Sequence, residues 1–257
     1  MSNYLCWRVL FAMSLSLAGV LLTGCEGDDA ETVFTAAVTH AASARWDEAL
    51  KTAAKAQKIN PSHVSSRILT GLALYHVGKM DRAEEVLRSG AQDFPADFAS
   101  QHFYGWIMCD RGKYQDALPP LRKAHEIRPE HDATTALLAR CLLEQGLPEE
   151  GIPLFTSLRK SPLYGKGAIV DTSIAMLYLY QGDMVKAKNH LFAALRREPD
   201  NPVVARNVAV FCDQYLAAPR DAVRYYSVAR NLYLRIGDEK QADMLKKRIA
   251  QIMREPR

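Results

Sequence analysis

The side chains closest to a catalytic or metal-binding arrangement are His125, Glu126 and His131. Zinc proteases place two histidines four residues apart on one helix, with a glutamate directly after the first. The two histidines here are six residues apart, and His131 follows Pro129 in a predicted turn. The sequence also has neither a glycine-rich phosphate loop nor a nucleophile-elbow motif. We therefore predict no catalytic residues, no metal site and no cofactor.

The five cysteines do not form a metal or redox motif. None is spaced as Cys-x-x-Cys, the spacing that zinc and thioredoxin-type sites use. Cys109, Cys141 and Cys212 stand far apart in apolar stretches, where we expect small buried side chains. A disulfide between Cys109 and Cys141 is the alternative in an oxidising compartment.

Cys25 closes an apolar segment at the start of the sequence. Residues 1–24 contain Arg8 and then a run of about 14 apolar residues, which suits a signal peptide and is short for a membrane-spanning helix. Leu22-Thr23-Gly24-Cys25 resembles the lipobox of bacterial lipoproteins. The resemblance implies removal of residues 1–24 and attachment of acyl chains, palmitate among them, to Cys25. An uncleaved anchor or a plain secretory signal is the alternative.

The residue after Cys25 and the overall charge bear on location and partners. Glu26 stands where inner-membrane lipoproteins of enteric bacteria commonly carry Asp, which favours the periplasmic face of the outer membrane. The net charge is only +4 and the cations are scattered along the sequence, so a nucleic-acid partner is not predicted. The apolar content of 48% excludes a disordered chain.

The remainder of the chain is organised by an interval of 34 residues. Two residue types keep this interval, namely Pro61, Pro95 and Pro129, and Gly78, Gly112 and Gly146. The interval is typical of helix–turn–helix repeats. Glycine ends a helix at little steric cost, and proline ends one unit and starts the next. The pattern predicts an all-α chain of helix pairs.

Small residues in phase with this interval resemble the tetratricopeptide repeat. The family needs a small side chain at the eighth position of each unit, where the two helices cross. Small residues stand there in all six units, at Ala37, Gly71, Gly105, Ala139, Ala175 and Ala209. The resemblance implies a right-handed α-solenoid of about six helix pairs. Its departures are the polar Arg67, Gln101 and Asp171 at the fourth position and two inserted residues within 161–167.

This alignment divides the sequence into four segments. Residues 1–24 are the signal peptide, 25–31 the lipidated cysteine and its tether, 32–236 the repeats, and 237–257 a capping helix and tail. The six predicted units cover 30–63, 64–97, 98–131, 132–167, 168–201 and 202–236. The capping helix has apolar residues on one side and cations on the other, as suits the end of a repeat array.

The family resemblance also implies a binding surface. First helices of these repeats line a concave groove, and five positions of each helix face a bound partner. Carried over by position, the groove residues include Ile68, Leu72, Tyr75, His76, His102, Trp106, Asp110, Arg140, Glu144, Met176 and Tyr180. Such an apolar and aromatic lining predicts a site for an apolar or amphipathic peptide or helix of a partner protein. The alternative is that the tail helix, or a second copy of the chain, fills the groove.

The lipid and the repeats together predict a non-enzymatic scaffold of the cell envelope. This plan resembles the pilotin lipoproteins of type IV pilus secretins, which have about six such repeats, and implies a use in pilus or secretin assembly. It also resembles adaptor lipoproteins that gather peptidoglycan hydrolases. A homo-oligomeric structural lipoprotein is the remaining alternative.

Overall fold

A computed structural model describes residues 29–254, and these contain 13 α-helices. In chain order they are α1 (Ala30–Ala42), α2 (Trp46–Ile59), α3 (Val64–His76), α4 (Met80–Asp93), α5 (Phe98–Asp110), α6 (Tyr114–Ile127), α7 (Asp132–Glu144), α8 (Pro148–Leu158), α9 (Ile169–Tyr180), α10 (Met184–Arg197), α11 (Pro202–Gln214), α12 (Pro219–Arg235) and α13 (Glu239–Arg254). No strand occurs among the described residues, which confirms the predicted all-α fold. None of these helices is both long and apolar enough to cross a bilayer. The predicted signal peptide and Cys25 lie outside this part of the chain.

The described residues form two compact units, with the boundary between Arg128 and Pro129. In the first unit, α1 packs against α2, α3 against α4, and α5 against α6. In the second unit, α7 pairs with α8, α9 with α10, and α11 with α12, while α13 packs against α12. Each unit is therefore built from consecutive helix pairs of the predicted type.

Small residues lie at the point where the helices of a pair cross. A Cβ atom added at Gly71 would lie 2.6 Å from Cγ of Leu87, and one added at Gly105 would lie 2.5 Å from Cγ of Leu121. Neither place has room for a side chain, so a larger residue would push the helices apart. The alanines at the equivalent place of the other pairs are fully buried, namely Ala37, Ala139, Ala175 and Ala209. This confirms the predicted role of the eighth position.

Side-chain caps start the first helices of successive pairs at the same interval. Four capping residues stand 34 apart, namely Asp29, His63, Asp97 and His131. Each accepts a hydrogen bond from the backbone N–H of a Ser or Thr three residues later, which satisfies a donor that the helix leaves free. His131 is therefore a helix cap, which accounts for it without a metal.

A residue with left-handed backbone lies in the turn between the two helices of each of the six described pairs. Glycines occupy four of these turns with φ between 64° and 79°, namely Gly78, Gly112, Gly146 and Gly182. Gly78, Gly112 and Gly146 are the helix stops that the 34-residue interval predicts, and Gly182 follows after 36 residues. The turns of the first and sixth pairs use Ala44 (φ 56°) and Ala217 (φ 47°) instead. Both alanines carry a Cβ atom in a conformation that favours glycine.

A buried carboxylate holds the longer connection between α8 and α9. Asp171 accepts a hydrogen bond from Arg159 at 2.5 Å, and its Oδ1 lies 3.0 Å from Nδ1 of His190. Arg197 lies 3.4 Å from its other oxygen. Asp171 departs from the apolar residue that the family usually has at its fourth position. The departure is compensated because three cationic or polar side chains surround the carboxylate.

The last helix, α13, takes the place of a further first helix. Asp213 on α11 accepts two hydrogen bonds, of 2.7 and 2.8 Å, from Arg248, which lies 35 residues later on α13. Tyr75 and Asp110, on consecutive first helices, have the same separation. In this register Asp243 falls at the crossing position of α13 and is exposed. A charged residue there suits the final helix of a repeat series.

The three cysteines of the described residues are free and buried, as predicted for small apolar side chains. Burial raises the pKa of the Cys212 thiol. Neither Cys109 nor Cys141 forms the disulfide that an oxidising compartment would allow.

Ala44→Gly is expected to stabilise the protein, because glycine adopts a positive φ without a Cβ clash. We expect the free energy of unfolding, measured by urea denaturation, to rise by about 0.5–1 kcal/mol. Ala36→Gly, on the exposed side of α1, is the matched control and should lower it by about 1 kcal/mol. If both substitutions lower stability equally, the turn is not strained.

Candidate partner-binding surface

Four aromatic side chains form a contiguous group on the first unit. Trp46 begins α2, Tyr75 and His76 end α3, and Trp106 lies on α5. We call these four residues the aromatic cluster. All four are half-buried, so part of each ring faces solvent. Three of them belong to the predicted groove.

Ring contacts connect the aromatic cluster from helix to helix. The rings of Trp46 and His76 are stacked, with centroids 3.7 Å apart and planes 11° from parallel. Tyr75 contacts His76 edge-on at 5.3 Å and Trp106 at 4.7 Å with a 62° angle between planes. The Tyr75 hydroxyl donates a hydrogen bond of 2.8 Å to Oδ2 of Asp110. Aromatic pairs contribute about 0.5–1.5 kcal/mol each beyond their buried area, so these contacts hold the rings in one arrangement.

Trp46 is a member that the sequence analysis misses, because it lies on a second helix. A regular pattern marks its position all the same. The first residue of the second helix is also aromatic or apolar in most other pairs, at Met80, Tyr114 and Met184. In these pairs the second helix therefore starts with a side chain that can extend the surface of the preceding first helix.

Three of the predicted groove residues are buried, which corrects the expectation that they are exposed. Ile68 and Leu72 on α3 are 4% and 2% exposed, and His102 on α5 is 4% exposed. First helices of consecutive pairs contact one another, as α3 contacts α1 and α5. His102 also lies between Phe98, with which it is stacked, and Phe103. These three residues contribute to packing between helices and leave no open surface.

Four of the predicted groove residues of the second unit are exposed. They are Arg140 and Glu144 on α7 and Met176 and Tyr180 on α9. The Tyr180 ring is 58% exposed and lies against the turn at Gly146, where an added Cβ would be 3.4 Å from the ring. Gly146 therefore leaves room for the flat face of Tyr180. The second unit thus offers an apolar pair on α9 and a charged pair on α7.

The first helix of the sixth pair is partly covered by the chain itself. Asp213 and Arg206 on α11 fall at predicted groove positions, but α13 contacts both of them. Arg248 binds Asp213, and Arg206 donates to Gln241 at 3.4 Å. The hydrogen bond from Arg248 lowers the pKa of Asp213, and burial raises the pKa of Tyr226 to about 12. The tail helix α13 thus covers this end of the predicted surface, which agrees here with the alternative that the tail helix fills the groove.

The arrangement is suited to binding. Rings that are held in place and half exposed provide apolar area at little cost in conformational entropy. The exposed Asp110 beside them favours a cation on whatever binds. Among residues 29–254, no three His, Cys, Asp or Glu side chains are grouped so that they could hold a metal ion.

Two family models match the chain, and both describe the tetratricopeptide repeat. One covers residues 34–98 and the other residues 110–161. The matched residues include most of the aromatic cluster and the turn at Gly146. None of the curated proteins matches this sequence.

Solved structures with similar folds have little sequence identity to this chain. A tetratricopeptide repeat protein from Parabacteroides merdae is 12% identical, with a TM-score of 0.63 over 88% of this chain and 94% of its own. YrrB, described as having an unusual peptide-binding site, is 18% identical, with a TM-score of 0.62 over 68% and 90%. Pseudomonas aeruginosa PilF is 16% identical, with a TM-score of 0.61 over 85% and 97%. These similarities show the fold.

The stacked His76 predicts a pH dependence of stability. Burial lowers the pKa of His76 from its usual 6.5, so the unfolded chain takes up this proton more readily than the folded protein. The contribution of neutral His76 is therefore complete above about pH 6.5 and decreases as the pH falls below that value. His76→Gln should flatten the rise of the unfolding free energy between about pH 5 and pH 7, measured by urea denaturation.

The comparison with the unsubstituted chain cancels the titration of the other histidines. An NMR titration that places the imidazole pKa of His76 below 6.5 is the independent check. Parallel stability profiles for the two proteins would contradict the expectation.

Proposed function

We propose that the chain is a non-enzymatic adaptor that binds an apolar or amphipathic segment of a partner protein, because residues 34–98 and 110–161 match models of the tetratricopeptide repeat. Proteins with this repeat generally mediate protein–protein interactions. The observation that supports a site in the first unit is the aromatic cluster, whose four rings contact one another and remain partly exposed. YrrB, a relative in fold, is described as having a peptide-binding site.

The aromatic cluster suggests which kind of segment binds. Trp106 and Tyr75 belong to the residue types that dominate binding energy in interfaces. Oδ2 of Asp110 accepts a hydrogen bond from the Tyr75 hydroxyl, and the Asp110 carboxylate is exposed next to the rings. A peptide with apolar side chains on the rings and a Lys or Arg next to Asp110 satisfies both features.

We further propose that the protein works in the bacterial cell envelope, attached by acyl chains on Cys25 to the periplasmic face of the outer membrane. The support is the lipobox-like Leu22-Thr23-Gly24-Cys25 and the residue Glu26. Several acyl chains would hold the body at the membrane almost irreversibly. We propose pilus or secretin assembly as the process, since the plan resembles pilotin lipoproteins and the fold resembles PilF over 85% of this chain.

Trp106→Ala is expected to weaken capture of the partner by at least about tenfold, since loss of a central aromatic residue typically costs about 2 kcal/mol or more. The measurement is crosslinking in intact envelopes, followed by purification and mass spectrometry of bound proteins. Tyr104→Ala is the matched control, because Tyr104 lies two residues away on another face of α5 and is also half-buried. Arg140→Ala tests the second unit in the same way.

If both the Trp106→Ala and the Arg140→Ala proteins still capture the partner at full strength, the proposed binding surface is wrong. A stable homodimer that protects Trp106 from chemical labelling would instead support the structural lipoprotein.

Cys25→Ser tests the proposed attachment. Without the thiol no acyl chain can be added, so the protein should move from the membrane pellet to the soluble periplasmic fraction. Incorporation of labelled palmitate should be lost together with sedimentation. Cys109→Ser is the control, because Cys109 is buried and should keep both labelling and sedimentation. Continued acylation of the Cys25→Ser protein would show that another residue carries the lipid.

A further inference from the structure

Cations that are scattered along the sequence come together on α10 and α12, the second helices of the fifth and sixth pairs. Eight Lys and Arg residues stand on α10 and α12, against Asp221 as the one carboxylate of these two helices. Seven of the eight are exposed. The first helices of this unit carry no such excess. The charge of the second unit is therefore concentrated on one side of its helix pairs.

A contact between the two helices makes their cationic surfaces continuous. The Phe192 ring on α10 meets the Tyr225 ring on α12 edge-on, with centroids 5.9 Å apart. Lys188 and Arg196 lie one turn before and one turn after Phe192 on the same side of α10. The guanidinium of Arg224 lies 5.5 Å from the centre of the Tyr225 ring. The cations of α10 and α12 thus flank a shared aromatic contact.

Helical spacing places further cations of α12 on one exposed stripe. Arg220, Arg224 and Arg235 are separated by four and eleven residues, close to whole numbers of helical turns. We define the basic face as Lys188, Arg196, Arg220, Arg224 and Arg235. None of the five forms an ion pair with another described residue, in contrast to Lys186 and Arg197, which pair with Asp183 and Asp171. Their charge is available to an external anion.

Exposed apolar side chains stand among these cations. Val185 on α10 is 71% exposed, Val228 and Leu234 on α12 are 39% and 44% exposed, and Ile236 directly after α12 is 65% exposed. Val185 lies on the same exposed stripe as Arg196, eleven residues later. A surface of cations and exposed aliphatic groups is typical of protein elements that lie at a membrane interface. The cations meet lipid phosphates and the aliphatic groups enter the acyl boundary.

We propose that the basic face is a docking surface for anionic phospholipid headgroups. This contact would bring α10 and α12 onto a bilayer surface. The argument rests on charge complementarity and on the aliphatic groups among the cations, which an acidic protein segment would not need. A polynucleotide is less suited because the Tyr225 and Phe192 rings are half-buried against each other, which leaves little ring area for a base. The proposal does not involve Cys25 or the aromatic cluster.

The test is sedimentation of the protein with vesicles. The protein used is residues 26–257, which keeps the cap Asp29 and every described helix, so no described contact is lost with the leader. Phosphatidylcholine vesicles containing phosphatidylglycerol should bind it, and vesicles of phosphatidylcholine alone should bind at least about tenfold less. Binding to the anionic vesicles should weaken as salt is raised.

Matched triple variants separate the effect of the basic face on binding from the effect of net charge. Arg196→Gln, Arg220→Gln and Arg235→Gln together should reduce binding at least about tenfold, because each cation near an anionic surface contributes several-fold. Lys51→Gln, Lys58→Gln and Lys123→Gln change three exposed cations of the first unit and the same net charge, and should leave binding within about twofold. Circular dichroism melting confirms that both variants fold.

The aliphatic groups supply a second test that leaves the charge unchanged. Val185→Ser and Leu234→Ser together should reduce binding to anionic vesicles several-fold and leave the salt dependence intact. Equal loss in the two triple variants would overturn the proposal, as would equal binding to neutral and anionic vesicles. Binding of soluble polyglutamate or of an oligonucleotide by the basic face, without binding to vesicles, would also overturn it and assign the face to an acidic macromolecule.

Discussion

The close contact of paired helices at one small residue is the constraint on which the rest of the fold depends. At Gly71 and Gly105 the partner helix supplies a leucine whose Cγ would lie 2.6 and 2.5 Å from an added Cβ atom. The leucine side chain thus occupies the space that a side chain on the first helix would need. The crossing recurs every 34 residues, with one interval of 36 between Ala139 and Ala175, so the same close contact is repeated within each pair. Caps and turns follow the same interval, as Asp29 and His63 show for the caps.

This constraint also determines where surface chemistry can occur. The first helices contact one another, so the middle of α3 is buried at Ile68 and Leu72, whereas its last turn reaches solvent at Tyr75 and His76. The aromatic cluster lies at that last turn and at the start of the following second helix, where Trp46 stands. On the second helices α10 and α12, seven of the eight cations are exposed, so their charges remain in water. Packing therefore leaves the last turn of α3 and these cationic side chains in contact with solvent.

The sequence predicts the repeated part of this structure well, since it is encoded locally. Small crossing residues and turn glycines such as Gly112 can be recognised from type and spacing alone, and both are confirmed. Exposure at the groove is harder, because it depends on the neighbouring first helix. His102 has the spacing of a surface residue but lies between Phe98 and Phe103. Trp46 cannot be found from the pattern of first helices, because it lies on a second helix and joins their surface only by stacking on His76.

The same position of a first helix serves different purposes in the two units. Tyr75 and Asp213 each bind a side chain 35 residues later on the next first helix, Asp110 and Arg248 respectively. The neutral Tyr75 leaves the Asp110 carboxylate unneutralised and exposed, so this end of the contact still attracts a cation. Arg248 neutralises Asp213 with two hydrogen bonds, which closes the surface there and ends the series. The choice of partner at one recurring position thus decides whether the repeat surface stays available to another protein or is sealed by its own chain.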